Sequence, residues 1–524
     1  MAHRPAGEAA AAPSHLLEHV RAEPLVNGFR AWPHLVAPHT YCVILRDRHL
    51  TALREGIAAA GRDGDQRRRA HLEGLLGAVT ADRPHLLRFG EQILALDALM
   101  LREARGFRLD ELYERVPDGL RGFVELFYGR YNDPGVRFLE PALYRSPLYD
   151  PTLQAVSLRA SDPDQPGDGM RVPRSPGRDG LIAPAPFASG VWDLLGRARR
   201  AGTPGGELAD ALGVRPAELE ALVAADGPGT VPVPPPDGPR VRFFGHACVL
   251  IEDGHSSVLV DPLVAYRRAG TADRFSFADL PERIDCLAIT HAHLDHLDIE
   301  TLLQLRHLVG EVIVPRAGAG DLVDPSLRLV LEAIGFHHVR ELDDFESHEI
   351  AGGGLLTAVP FFGEHADLPI RGKSGYAVRL QGRTCVMLAD SRCLEPRIYE
   401  HARDLIGPVA ALFIGMECEG SPLTTANAPY LPEGLYTAGM AESRRTNASD
   451  AAGALQVLDA LRPERAYVYA MGLEPWLSYM FGVPDPTKTY SLSQVEVFER
   501  ECSRRAVPAR LLRGAQVLEL GGAS

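Results

Sequence analysis

The sequence has no excess of positive charge, no paired cysteines and no long apolar run. Its 69 Asp and Glu against 55 Lys and Arg leave a formal net charge of −14. That balance argues against a nucleic-acid binder working through overall positive charge, so nucleic acid is not an expected partner. The seven cysteines (42, 248, 286, 385, 393, 418 and 502) are scattered without a CxxC pair, the pattern of reduced thiols in a cytoplasmic protein. The longest membrane candidate, Leu405 to Met416, is too short to span a bilayer and contains Gly407 and Pro408. Residues 1–14 are Ala-rich with no sustained apolar stretch, unlike a secretory signal. The expectation is a cytoplasmic protein with no membrane partner.

What is present is enough apolar material for several cores. A chain of 524 residues with 45% hydrophobic content has room for two or three domains. Residues 1–14 read as a disordered tail, and 15–226 as a mainly helical N-terminal domain with long loops between Tyr131 and Ala183. Glu207 to Leu219 reads as a helix–turn–helix, in this acidic setting a packing module. Arg67 to Arg69 and Arg197 to Arg200 read as solvated helix faces able to meet an acidic partner. The proline-rich stretch 227–240 is a linker. From 241 to 524 the pattern changes to strands, starting with Val241–Ile251 and Ser257–Val260 about a turn at Asp253-Gly254. Further strands near 284–290, 311–315, 355–359, 375–380, 384–389, 410–415 and 466–470 alternate with helices near 298–309, 325–334, 395–404 and 450–461.

The densest chemistry lies in Ile289-Thr290-His291-Ala292-His293-Leu294-Asp295-His296. Three imidazoles and a carboxylate within six positions, directly after a buried strand, exceed what packing requires. In an extended turn His291 and His293 face one point while Asp295 and His296 serve another. One loop can then supply two metal ions roughly 3.5–4 Å apart.

This HxHxDH pattern resembles the metallo-β-lactamase superfamily, which implies an αββα sandwich for the C-terminal part. The family pattern adds a ligand from a later loop, a bridging Asp and usually a terminal His. Asp390 ends the apolar strand Cys385 to Ala389, where a carboxylate needs a partner or a metal; it is the expected bridge. The strand Leu355 to Pro360 leads to Glu364 and His365, and the residues alone leave that pair open. No histidine follows His401, so the terminal His is missing; Glu474, Glu417 or water could take its place. Fewer imidazoles and more carboxylate shift such a site from zinc toward iron. Asp261, at the end of the second hairpin strand, is expected to orient a ligand His. His246 is at least as readily structural as catalytic.

A closer resemblance rests on His291 to His296, Phe362-Gly363-Glu364, Leu388-Ala389-Asp390-Ser391 and Met471 to Trp476. The long preceding domain with Leu139-Glu140-Pro141-Ala142-Leu143-Tyr144 adds to it. Together these are similar to the diiron β-hydroxylases of nonribosomal peptide biosynthesis, the chloramphenicol-pathway type. The resemblance implies an O2-dependent monooxygenase with two Fe ions and an external electron donor such as a reductase. The implied reaction is hydroxylation of the β-carbon of an aminoacyl thioester on a carrier domain. It implies His291, His293 and Glu364 on one iron, Asp295 and His296 on the other, and Asp390 between them. The N-terminal domain would serve homodimer formation and carrier docking. The alternative is a binuclear metallohydrolase of a thioester, lactone or phosphodiester, in which a metal-bound hydroxide attacks.

Overall fold

The computed structural model describes residues 14–521 except 107, 168, 176–179, 205, 228–233, 235, 268–273, 319, 365–367, 420–429, 432–447 and 482–488. His365, one of the two candidates after strand 355–360, lies outside the described residues, as does much of the proline-rich stretch.

Two seven-stranded sheets face each other in the C-terminal part. The first runs, in spatial order, Val339–Leu342, Val309–Pro315, Ile284–Ala288, Ser257–Val260, Cys248–Glu252, Arg240–Gly245, Gln516–Glu519. The second runs Ser347–Ile350, Gly354–Val359, Gly375–Leu380, Arg383–Met387, Ala411–Gly415, Ala466–Tyr469, Ala509–Leu511. The period-2 geometry of a strand sorts its side chains between layers. Cys286 and Ala288 point between the sheets, with Val260, Ile313, Tyr376, Met387 and Phe413. Leu287 and Ile289 point outward, under the helices Ile299–Leu305 and Leu327–Ala333. On the far side, helices Arg397–Ile406, Ala451–Leu461 and Thr489–Arg504 cover the second sheet. This is the expected αββα sandwich.

The strand parity explains where a site can form. Ser257–Val260, Ile284–Ala288 and Val309–Pro315 pair in parallel, as do Arg383–Met387, Ala411–Gly415 and Ala466–Tyr469. Parallel strands end together, so the loops beginning at Asp261, Thr290, Leu388 and Ala470 emerge at one end of the sandwich.

Several local expectations are corrected. Val241–Ile251 is two strands: the chain reverses at His246-Ala247, with Cys248 opposite Gly245, because His246 adopts a left-handed φ of 49°. The region before residue 157 is less helical than its pattern suggests. Val20–Val26 is a strand with all seven residues buried, joined with Phe29–Arg30, Gln154–Ala160 and Gly180–Pro184 in a four-stranded sheet. Burial on both faces erases alternation, and Arg21 and Glu23 lie inside. The presumed loops between 131 and 183 contain Pro134–Phe138 and Gln154–Ala160, with Pro134 at a strand's first position, where proline is tolerated. Glu207–Leu212 is a short helix stopped by Gly213 at φ 65°, followed by a single 3-10 turn at Pro216–Glu218; it is not a helix–turn–helix. Arg199 and Arg200 are not on a solvated face. Arg199 is buried and donates to the Gln304 side chain and the Val20 carbonyl, and Arg200 donates to the Leu280 carbonyl. The edge strands 339–342 and 347–350 and everything after residue 489 went unanticipated.

The two parts of the chain share one core. Leu16 through Leu222 pack continuously with Leu287, Ile289, Leu302, Val314 and Leu331. Helix Val191–Arg200 crosses Ile299–Leu305 so closely that a Cβ on Gly196 would lie 2.1 Å from the Gln304 carbonyl oxygen. A buried ionic cluster reinforces the junction. Arg30 bonds Asp298 at 2.9 Å and sits 3.2 Å from Glu300, while Arg174 grips Glu23 with two bonds of 2.7 and 2.8 Å. Arg30 thus ties the N-terminal sheet to the cap of the helix that follows His296. Among the described residues no helix is long and apolar enough to cross a membrane.

Candidate metal centre

Local structure brings six side chains from three loops to the end of the sandwich. After Ile284–Ala288 the chain turns, with His296 N and Leu297 N both donating to the His293 carbonyl. Asp298 then caps the next helix through Thr301. This turn is what separates His291 and His293 from Asp295 and His296.

The donors converge in overlapping groups: His291, His293 and Glu364; His291, His296 and Asp390; and His246, Asp295 and His296, each within 4.8 Å. His293 Nδ1 is 3.4 Å from Glu364 Oε1. Asp390 Oδ2 lies between two rings, 3.5 Å from His296 Nε2 and 4.0 Å from His291 Nε2. His296 Nε2 is 3.9 Å from Asp295 Oδ2. The structure thus assembles all six residues singled out from the sequence: His291, His293, Asp295, His296, Glu364 and Asp390.

Asp261 organises this set from below. It is fully buried, accepts from Thr290 N at 2.7 Å and Thr290 Oγ1 at 2.6 Å, and meets His296 Nδ1 at 2.8 Å. A carboxylate accepts only, so Nδ1 of His296 carries a proton and Nε2, facing Asp390, is the nitrogen left to bind a metal. Phe361 packs edge-on against His291, ring centroids 5.4 Å apart. Lys373 Nζ donates to the Gly363 carbonyl at 2.5 Å and so steadies the turn that presents Glu364.

Backbone strain concentrates here. Of eleven non-glycine residues with left-handed φ among those described, His246, Asp261, Ala389 and Ala470 lie within two residues of strand ends at this site, and Glu364 lies in the loop after Gly354–Val359. Such conformations persist where surrounding contacts over-determine them.

The electrostatics are those of a site prepared for cations. Burial alone would lift Asp295, yet the imidazoles of His296, His246 and His293 hold it well below the usual carboxylate range. Burial would lower His296, but Asp390, Asp261 and Asp295 raise it well above an ordinary imidazole. Burial pushes Glu364 up to about 7; His293, Lys373 and His296 oppose it and Asp390 adds to it. Buried His296 Nε2 and Asp390 Oδ1 have no hydrogen-bond partner among the described residues. Buried polar atoms in that condition are costly unless a metal ion meets them. The donor set is nitrogen and oxygen with no thiolate, which fits iron.

Glu417, a possible stand-in for the missing histidine, lies beside Ser491, 3.5 Å from its hydroxyl. Glu474 accepts from His246 N at 2.6 Å. Two further side chains join the set: His246, whose role the sequence leaves between structural and catalytic, and Lys373, which no motif signals. His246 reaches Asp295, its Nε2 3.0 Å from Oδ2. That Lys373 is one of two lysines in the chain is the one mark that sets it apart in the sequence.

Comparison with known proteins gives a consistent result. Residues 15–74 and 62–224 match the model of a diiron non-heme beta-hydroxylase N-terminal domain, and 256–469 match a beta-lactamase superfamily domain. The chain is 34% identical over 494 residues to the 4-amino-L-phenylalanyl-[CmlP-peptidyl-carrier-protein] 3-hydroxylase of Streptomyces venezuelae, covering 89% of this chain and 92% of that protein. The crystal structure of CmlA, a diiron beta-hydroxylase from Streptomyces venezuelae, superposes with a TM-score of 0.87 at 32% identity, covering 97% of this chain and 100% of that one. A point mutant of the same enzyme gives 0.84 over the same coverage.

Proposed function

The chain belongs to the diiron non-heme β-hydroxylase family, and from that membership we propose that it hydroxylates the β-carbon of an aminoacyl group held as a thioester on a carrier domain of a nonribosomal peptide synthetase. The hydrolase alternative gives way to this reading, because family membership extends through the N-terminal part as well as the lactamase-like part.

In this reading His291, His293 and Glu364 would hold one iron, Asp295 and His296 would hold the other, and Asp390 would serve both. The observation that carries it is the overlap of the donor groups: His291 belongs to two of them and His296 to two, an arrangement suited to adjacent ions. When bound, the iron pair supplies the redox chemistry that activates O2. One oxygen atom enters the C–H bond, and the other leaves as water with two protons and two electrons from an external reductase. The chain's own residues orient and shield. Asp261 fixes the tautomer of His296, Lys373 steadies the Gly363-Glu364 turn, and buried Phe361 keeps water from the His291 ring.

The segment before 227–240 serves carrier docking and homodimer formation. A tethered substrate delivers binding energy from a remote part of the molecule, which a free amino acid lacks. The test supplies O2 and reductant with free amino acids or with a set of aminoacyl-loaded carrier domains. The expected result is a mass gain of one oxygen on a loaded carrier only. Release of the amino acid without oxygen gain, or two zincs in place of two irons, would overturn the reading. Glu364→Ala should lower iron occupancy while His365→Ala keeps it; the reverse would hand the ligand role to His365.

A further inference from the structure

We infer that His246 is a positioning residue for Asp295: it donates a hydrogen bond to that carboxylate and does not bind metal. The inference rests on the proposed role of Asp295 as a ligand. Proximity alone would suggest otherwise, since His246, Asp295 and His296 form one of the three groups able to hold an ion.

The ring's other nitrogen decides the matter. The backbone N–H of Gly472 points at His246 Nδ1 from 3.3 Å. A neutral imidazole has one donor nitrogen and one acceptor nitrogen. With Nδ1 accepting, the proton is on Nε2, which faces Asp295 Oδ2 at 3.0 Å. A ligand role for Nε2 would require that proton on Nδ1, directly opposite another N–H. The nearest carboxylate that could accept it there, Glu474 Oε2, is 3.9 Å away, beyond hydrogen-bond distance.

His296 shows the opposite arrangement. Its Nδ1 meets the Asp261 carboxylate, so Nε2 is the nitrogen left for a metal. The two rings stand edge to face with centroids 5.3 Å apart, yet their neighbours select opposite tautomers. One is set up as a ligand and the other as a donor to a ligand.

His246 is locked in place from two segments. Its left-handed φ of 49° turns the hairpin. Its N–H is held by Glu474 Oε1 at 2.6 Å, and its carbonyl accepts from Ala470 N at 2.9 Å. Gly245 leaves no room for a side chain, since a Cβ there would lie 2.4 Å from the Trp476 ring. Side chains that hold a metal ligand through a second hydrogen bond typically contribute about 10–100-fold to affinity.

The test compares His246→Gln with His246→Ala in full-length, metal-free protein titrated anaerobically with Co(II), whose visible spectrum reports each site. Gln places an amide N–H near the position of Nε2 but offers no imidazole. The expected result is two bound metals for Gln, close to wild-type affinity, and about 10–100-fold weaker binding of one metal for Ala. Equal loss in both variants would make His246 a ligand and overturn the inference. Nitrogen NMR of metal-free protein labelled at the histidine rings reads the tautomer without any variant having to bind metal: an Nε2–H signal for His246 supports the inference and an Nδ1–H signal refutes it. A wild-type chain that binds fewer than two metals would sink the proposed centre instead, and the NMR result would still judge His246.

Discussion

Replacing Asp261 by Asn should disable the metal centre while leaving its shape intact. Asp261 holds a left-handed φ of 45°, a conformation Asn adopts readily, so the backbone tolerates the change. The fault lies in the hydrogen bonds. Oδ1 accepts from Thr290 N, and Oδ2 accepts from Thr290 Oγ1 while meeting His296 Nδ1. An amide has one oxygen and one NH2 group. With the NH2 in the Oδ2 position, it opposes the proton on His296 Nδ1 and drives that ring to the Nε2–H tautomer, wrong for a ligand. With the amide flipped, the NH2 opposes the backbone N–H of Thr290 instead. Either outcome disturbs His296, by reversing its tautomer or by pushing away the Thr290 backbone that leads into the ligand loop, a change worth about 10–100-fold in metal affinity, or about 1.4–2.7 kcal/mol. Titration of metal-free wild type and Asp261→Asn with Fe(II) under anaerobic conditions measures it directly. Wild-type affinity at both sites in the variant would refute the tautomer argument, and with it the claim that Asp261 organises the centre.

Three further outcomes are expected. Asp390→Ala should lose at least one metal by elemental analysis, because its Oδ2 is the oxygen that stands between His291 and His296. Gly196→Ala should lower the melting temperature through about 1–3 kcal/mol of overpacking where helix Val191–Arg200 meets the Gln304 carbonyl; an unchanged melting temperature would mean that crossing relaxes freely. Buried His39 and His49 are pushed from 6.5 to about 3 by burial. Because their folded pKa is depressed, unfolding takes up protons, and the stability they contribute above pH 6.5 is lost as pH falls toward 3. At pH 5 the loss is about 2 kcal/mol for each. Tm measured against pH should therefore fall less steeply in the double variant His39→Gln, His49→Gln than in the wild type.

The catalytic part was the more legible in sequence because its strands obey a simple rule. One face of each lies between the sheets and the other under helices, and both are apolar, so runs such as Cys385 to Ala389 stand out. The N-terminal strand Val20–Val26 hides because Arg21 and Glu23 face a buried ionic cluster whose partners, Arg174 and Glu300, lie far away in sequence. The arginines at 199 and 200 misled for the same reason: their acceptors are Gln304 and backbone carbonyls of distant segments.

At the metal centre, the sequence alone determined which side chains could be ligands, with Glu364 and His365 left open between them. HxHxDH concentrates four donors in one turn, and Asp390 and Glu364 stand just beyond strands that have to be buried. Ligand chemistry belongs to residue type and local spacing, and both can be read along the chain. Only the tertiary structure decided what each imidazole does. His246 lies 45 residues before His291 and its role depends on the N–H of Gly472, while His296 depends on Asp261. A histidine is donor or acceptor at each nitrogen according to what faces it, and what faces it is set by the ends of strands that meet only when the two sheets pack.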